Sequence, residues 1–318
     1  MAVTRIGVVG IGNMGLPMAV RLQSHGFAVT VYDRDPARAE QATRHRLRLA
    51  PMPAEAAIHS RCTIVAVSTQ AQVEAVLFGQ GGVVEVAKMG DCVMLCANQP
   101  AQVVESQAAA LAERGVHCID APLSGGPDRA AYGTLSMLLA CDAALFERHR
   151  PMIEVLSSHV IHVGERVGMA SNATMVNNLA AAINLAGMAE AMALAQSVGL
   201  DAWQMLEIIE SSSGQSWIGS DRFVRAQRGD RAVQSRVDHL GQETLYAAQA
   251  AESRGIDSPL AAAAARLFER ACGAGLAAAD DSALFPFVRD GTVVEDVTAA
   301  GEAAASATPP VLGRLSAS

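Results

Sequence analysis

Gly10, Gly12 and Gly15, in GIGNMG, directly follow the apolar run RIGVVG and precede a helical run that begins near Met14. In that context a G-x-G-x-x-G confines the opening of the chain to a strand, a tight turn and a helix. Each glycine has a mechanical reason: the turn itself, the approach of backbone to a pyrophosphate, and the close packing of helix on strand. The helix N-terminus offers N–H groups and partial positive charge to phosphates. The next strand-like run, AVTVY, ends before Asp33, at the spacing where a carboxylate takes the ribose hydroxyls of a dinucleotide. A carboxylate there repels a 2′-phosphate, so NAD is expected over NADP. Arg34 beside it has three readings: stacking on adenine, pairing with a 2′-phosphate, or solvation at the surface.

From Thr4 to about Cys141, the runs RIGVVG, AVTVYD, CTIVAVS, CVMLCA, VHCIDAP and LSMLLAC alternate with helical segments. Such alternation predicts an α/β fold, with a parallel, doubly wound Rossmann sheet covered by helices on both faces. After Gly164 the chain turns to long Ala- and Leu-rich helical stretches, which predicts an all-α second domain. The expected domains are 1–163, 164–288 and a flexible tail over 289–318 that is rich in Ala, Gly, Ser and Pro. Helices are expected over 168–198, 203–211, 236–254 and 258–272. The first, apolar around its whole circumference, is expected to be buried on most sides.

At 318 residues, two domains can each bury a core. Hydrophobic residues make up 51% of the chain, but Asn177, Asn178, Asn184 and Glu190 break the most apolar stretch, so no membrane span is expected. No secretory leader pattern precedes the first strand, and a cytoplasmic protein is expected. Cys62, Cys92, Cys96, Cys118, Cys141 and Cys272 fall mostly inside strand-like runs and read as buried thiols rather than as disulfides or metal ligands. Twenty-four basic against 32 acidic residues argue against a nucleic-acid partner. Lys88 is the only lysine in the chain.

A second motif, DAPLSGGPDRAAYGTLSML, puts Ser124, Gly125 and Gly126 at the C-terminal end of a strand, where open α/β sheets bind ligands. A hydroxyl beside two backbone N–H groups can hold a carboxylate or a developing oxyanion. Together with GIGNMGLPMA, with VNNLAAAINLAGMAEAMALAQSVGLD, with SSSGQSW and with DDSAL, this motif resembles the β-hydroxyacid dehydrogenase family over residues 4–287. The resemblance is to the 3-hydroxyisobutyrate dehydrogenase-like branch of the 6-phosphogluconate dehydrogenase superfamily.

That resemblance implies an NAD(P)-dependent enzyme, a homodimer or homotetramer through the helical domain, and a small anionic substrate. It implies that Ser124, Gly125 and Gly126 bind a substrate carboxylate, that Asn178 holds the reacting group with Asn177 beside it, and that Trp217 lines the substrate side. The expected cofactor contacts are Gly10, Gly12, Asn13, Met14, Gly15, Asp33, Arg34, Ser68, Ala97 and Gln242. For the asparagines, helix-to-helix hydrogen bonding is the structural alternative.

The family's catalytic lysine, four residues before Asn178, is here Thr174. Positions four apart share a helix face, so Thr174 and Asn178 address the same cleft, but a threonine does not ionise near neutrality. The family's Lys-Asp pair corresponds to Gln242 and Glu243, and its Ser-Thr pair to Cys96 and Ala97. Three compensations are open: another titratable group (His239, Asp238, His162 or Tyr132), a water relay through Thr174 and Ser124, or a substrate that needs no proton removed. The last would fit imine reductases, which share the architecture. The expected activity is NAD-dependent hydride transfer on a small 3-hydroxy acid or related hydroxyl or carbonyl compound. Imine reduction, or cofactor binding with little turnover, are the alternatives.

Overall fold

The computed structural model describes residues 4–291. Among these residues one sheet contains nine strands: β1 (Arg5–Val9), β2 (Ala28–Tyr32), β3 (Arg48–Leu49), β4 (Cys62–Val65), β5 (Cys92–Leu95), β6 (His117–Asp120), β7 (Leu123–Ser124), β8 (Leu135–Ala140) and β9 (Ser157–Gly164). The helices between them are α1 (Gly15–Ser24), α2 (Pro36–Arg44), α3 (Pro53–Ala57), α4 (Gln70–Phe78), α5 (Ala101–Ala112), α6 (Gly126–Tyr132) and α7 (Ala143–Leu156). Beyond β9 come α8 (Met169–Ser197), α9 (Ala202–Glu210), α10 (Trp217–Gln227), α11 (Val237–Glu252), α12 (Pro259–Ala271) and α13 (Leu284–Asp290).

The strand order is β3-β2-β1-β4-β5-β6-β8-β7, with β9 paired to β8. Pairings from β3 through β6 are parallel, as the βα alternation predicts. The parallel order ends there: β8 runs antiparallel to β6 and β7, a departure from the fully parallel sheet expected. Strand periodicity shows which residues face the core but carries no direction, so the reversal was not readable locally. β9, in parallel with β8, was not expected at all. Its sequence SSHVIHVG is mostly solvent-facing and lacks the apolar alternation that marks a strand.

Side-chain alternation builds two cores on this sheet. Ile6, Val8, Val29, Val31, Cys62, Ile64 and Met94 join Met18 and Leu22 of α1 and Ile153 and Leu156 of α7. Val9, Val65, Val93 and Leu95 face the other way, against Val73 and Leu77 of α4 and Val104 and Leu111 of α5. Burial on both faces explains why CTIV and CVML are apolar without interruption. Cys62, Cys92, Cys96, Cys118 and Cys141 are buried and Cys272 is half-buried, all as free thiols. Burial pushes the Cys92, Cys96 and Cys118 thiols well up, which makes them poor nucleophiles.

Packing divides the chain into two compact units, Met1–Ala182 with Leu240–Ala265 and Ile183–His239 with Arg266–Ser318. Three long helices, α8, α11 and α12, each run from one unit into the other. In α8 a buried stripe contains Ser171, Thr174, Ala182, Leu185, Ala189 and Met192, whereas Val176 and Leu194 are 61% and 64% exposed. The helix is therefore not buried on most sides of its own chain, because its apolar excess includes residues on the outer face. By length and composition α8 is long and apolar enough to cross a membrane, which the polar interruptions had argued against; 39% of its most apolar window is buried. Its polar side chains Ser171 and Asn178 are hydrogen-bonded to carboxylates of the same unit. Two helices went unforeseen, α10 and α13, and the latter takes Arg289 and Asp290 out of the expected tail. Residues 292–318 of that tail lie outside the described residues.

His149 of α7 is buried, and its Nε2 has no hydrogen-bond partner. Burial, with Arg148 and His117 nearby, pushes its imidazole down to about 4. An unfolded histidine titrates near 6.5, so between those values the unfolded chain binds the extra proton and stability falls as pH falls. Urea unfolding of wild type from pH 7 to pH 4 should show this loss, up to ~3 kcal/mol. His149→Leu should flatten that slope; an unchanged slope would assign it to other groups.

Candidate functional site

The glycine loop joins β1 to α1 at the C-terminal edge of the sheet. Gly10 has φ +88°, and a Cβ there would lie 2.7 Å from Val67 Cγ1. A Cβ on Gly15 would stand 1.9 Å from the Gly10 carbonyl oxygen. The protein itself thus requires glycine at both positions. Gly12 differs: no heavy atom lies within 4 Å of a Cβ built there. The fold leaves open space over that backbone, so packing within the protein does not require glycine there.

Asp33, just beyond β2, fastens the loop. Its Oδ2 accepts the Ile11 N–H at 2.8 Å and its Oδ1 accepts the Asp35 N–H at 2.9 Å. The Gly10 N–H donates to the Tyr32 carbonyl at 2.9 Å. Asp33 therefore orders the turn in addition to any contact with a ribose. Arg38 of α2 donates to Asn13 Oδ1 at 3.1 Å, bringing a cation to the loop that sequence reasoning missed. Arg34 is exposed, and Met14 packs partly against the core. Ser68 follows β4 with its N–H donating to Gln72 at 3.0 Å, and Ala97 is buried just after β5. These residues share the sheet edge at which open α/β folds bind ligands.

Asp120 closes β6 with a buried carboxylate and serves α8. It accepts the Gly168 N–H at 2.9 Å, the Ser171 N–H at 3.0 Å and the Ser171 hydroxyl at 2.7 Å. Burial raises this carboxyl, and the hydrogen bonds from Ser171 and Gly168 oppose the rise. A carboxylate on orphan N–H groups at a helix N-terminus fixes where the helix starts. It thereby fixes Thr174 and Asn178. The backbone of Ser124 lies in β7, paired with Ser136, and Gly125 and Gly126 lead into α6.

Thr174 is buried, and Asn178 is half-buried one turn later on α8. Asn178 Nδ2 makes a short hydrogen bond to Glu243 Oε2 of α11. Asn98, in the loop after β5, donates to Glu243 Oε1 at 2.6 Å. Asn177 is exposed and donates to Asn178 Oδ1 at 3.1 Å. The amides thus converge on Glu243. Asn98 escaped the sequence reading, and its only signal was its place at the C-terminal end of a strand.

Gln242 is exposed on α11. Trp217, the first residue of α10, belongs to the second unit and is 64% exposed. The other titratable candidates are engaged differently. His162 Nε2 contacts the Cys141 carbonyl at 2.7 Å and its ring stacks on Phe146. Asp238 pairs with Arg236, His239 stands 3.9 Å from Asp238, and Tyr132 is 73% exposed. Among the described residues no group of three or more His, Cys, Asp or Glu is placed to hold a metal.

Residues 5–164 match the NAD-binding domain of 6-phosphogluconate dehydrogenase, and residues 168–288 match the NAD-binding region of NADP-dependent 3-hydroxyisobutyrate dehydrogenase. L-Threonate dehydrogenase of Cupriavidus necator is 33% identical over 281 residues, covering 88% of this chain and 94% of the relative. A crystal structure of 3-hydroxyisobutyrate dehydrogenase from Salmonella typhimurium aligns with TM-score 0.81 and 29% identity, over 89% of this chain and 99% of that one. An imine reductase from Myxococcus stipitatus, in a variant bound to NAD+, aligns with TM-score 0.62 and 23% identity over 91% of this chain and 100% of that one; it shares the fold.

Proposed function

The chain belongs to the β-hydroxyacid dehydrogenase family of NAD(P)-dependent oxidoreductases, and from that premise we propose that it transfers a hydride between nicotinamide and a small 3-hydroxy acid or related hydroxyl or carbonyl compound. The observation that carries this reading is the likeness, over most of both chains, to L-threonate dehydrogenase, whose namesake substrate is a small hydroxylated carboxylate.

The residues present fit a dinucleotide. A Cβ on Gly12 would meet no heavy atom within 4 Å, and the same strand edge carries Asn13, Asp33, Arg34, Ser68 and Ala97, with Gln242 assigned to the cofactor from α11. When bound, the nicotinamide supplies the hydride acceptor or donor. The protein's part is to hold pyrophosphate against the N–H groups of the loop and of α1, and to present the Asp33 carboxylate toward the ribose. Ser124, Gly125 and Gly126 are assigned to the substrate carboxylate, Asn178 and Asn177 to its reacting end, and Trp217 to the substrate side. Asp33 favours NAD over NADP, although Arg34 and Arg38 keep a 2′-phosphate electrostatically tolerable. The domain assignment that accompanies this reading is 1–163 for cofactor and 164–288 for substrate and subunit association in a cytoplasmic homodimer or homotetramer. Exposed Val176 and Leu194 on α8 support the association, and light scattering giving the mass of one chain would sink it.

Imine reduction is the competing reading, favoured by the lack of an ionisable side chain at Thr174. The test is a panel of hydroxy acids, including L-threonate and 3-hydroxyisobutyrate, with NAD+ and NADP+, beside cyclic imines with the reduced cofactors. Cofactor reduction by at least one hydroxy acid is expected, and Asp33→Ala should weaken NAD and relieve NADP. Turnover of imines alone would overturn the reading, as would cofactor binding with no turnover of either panel.

A further inference from the structure

Arg46 has φ +57°, and among the described residues it is the one non-glycine residue with a positive φ. It follows α2, where the Arg46 N–H donates to the Thr43 carbonyl at 2.9 Å and the Leu47 N–H to the Ala42 carbonyl at 3.0 Å. That pair of bonds is a helix-ending turn whose left-handed position favours glycine. The turn gains nothing from an arginine, so what Arg46 contributes is its side chain, which lines a cavity of about 460 Å³ together with Arg5, Arg48 and His59. We propose that this cavity is a second ligand site, separate from the dinucleotide edge, for a small phosphate-bearing anion.

Topology brings the cations together. Arg5 opens β1 in register with Ala28 of β2, while Thr30, two residues further along β2, is in register with Arg48 of β3. Residues two apart on a strand face the same way, so Arg5 and Arg48 stand on one face of the sheet, on either side of β2. Arg46 enters from the turn before β3, and Gln23 Nε2 holds that turn by donating to the Arg46 carbonyl at 3.0 Å. His59 comes from the loop between α3 and β4. These residues lie at or just before the N-terminal ends of β1, β3 and β4, whereas the glycine loop and Asp33 follow the C-terminal ends of β1 and β2.

Charge decides the ligand. Guanidinium groups stay protonated, Glu55 is the single carboxylate in the lining, and among the described residues no carboxylate ion-pairs with Arg5, Arg46 or Arg48. This surplus sits on a chain with a formal net charge of −8, so the positive cluster is local. A carboxylate brings one charge and two oxygens. A phosphate monoester brings close to two charges and three acceptor oxygens, which suits guanidinium forks converging from three segments. The volume lies within the roughly 300–1,000 Å³ of small-molecule pockets.

Inorganic pyrophosphate is the probe, titrated by calorimetry into the full chain at constant ionic strength, beside citrate as a polycarboxylate. A saturable site is expected that prefers pyrophosphate to citrate by ~10-fold or more and that persists in Gly12→Val, whose glycine loop is filled. Arg46→Gly separates binding from folding: glycine suits φ +57°, so the thermal midpoint should hold or rise while pyrophosphate affinity falls ~10-fold or more. Arg48→Ala should weaken binding similarly. Arg44→Ala, which removes an exposed arginine of α2 paired with Glu40 at 2.7 Å, should bind as wild type does. Binding lost in Gly12→Val and kept in Arg46→Gly would put the probe in the dinucleotide loop and overturn the proposal. Equal weakening by Arg44→Ala, citrate binding as tightly as pyrophosphate, or no saturable binding would overturn it as well.

Discussion

Gly12→Val is expected to leave the fold intact and to weaken dinucleotide binding by ~100-fold or more, which corresponds to about 3 kcal/mol. The asymmetry among the three loop glycines makes this informative. A side chain at Gly15 would collide with the Gly10 carbonyl at 1.9 Å, and one at Gly10 would demand a strained φ of +88°. Damage there would mix folding with binding. At Gly12 a Cβ meets nothing within 4 Å, so valine has room in the ligand-free protein and fills the space that a pyrophosphate needs. Thermal unfolding should move by little for Gly12→Val and by several degrees for Gly15→Val. Equal loss of stability in both would show that the space over Gly12 serves packing, and normal NAD affinity in Gly12→Val would remove the loop from the cofactor site.

Breaking the Arg222–Asp281 pair is expected to cost the second unit about 3–5 kcal/mol. Asp281, in the DDSAL motif, is fully buried and makes a short ion pair with Arg222 of α10, whose side chain is 10% exposed. Its neighbour Asp280 meets Arg225 at 3.1 Å and accepts the Gln234 N–H at 2.8 Å. Both acidic residues of the motif are thereby committed to holding α10 and the segment before α11. Asp281→Ala strands a buried guanidinium, whereas Arg222→Met with Asp281→Leu removes both charges, and such exchanges are often close to neutral. Chemical denaturation should therefore show a large loss for the single variant and recovery in the double. A single variant within 1 kcal/mol of wild type would mean that Arg222 is satisfied by Asp221, its other partner.

Part of this architecture was readable in order along the chain. Six strands, the glycine turn and the helical second half announced themselves through periodicity and composition, which are local properties. α8, expected over 168–198, runs from Met169 to Ser197. The β8 reversal and β9 were not readable, since pairing direction is a property of two strands and β9 lacks apolar alternation. The resemblance drew attention to Asn178 and Thr174 but not to the carboxylate that accepts from Asn178 and Asn98. Glu243 entered only as a substituted position, and Asp120 only as a letter within a motif.

The sequence by itself determined the α/β class and the glycine turn that leads to Asp33, because each depends on residues a few positions apart. Only the tertiary structure decided which side chains meet. Asp120 reaches Ser171 across 51 positions, Asn178 reaches Glu243 across 65, and Asn98 reaches Glu243 across 145. Contacts at such separations are set by how whole elements pack, and they leave no periodic trace in the chain that makes them.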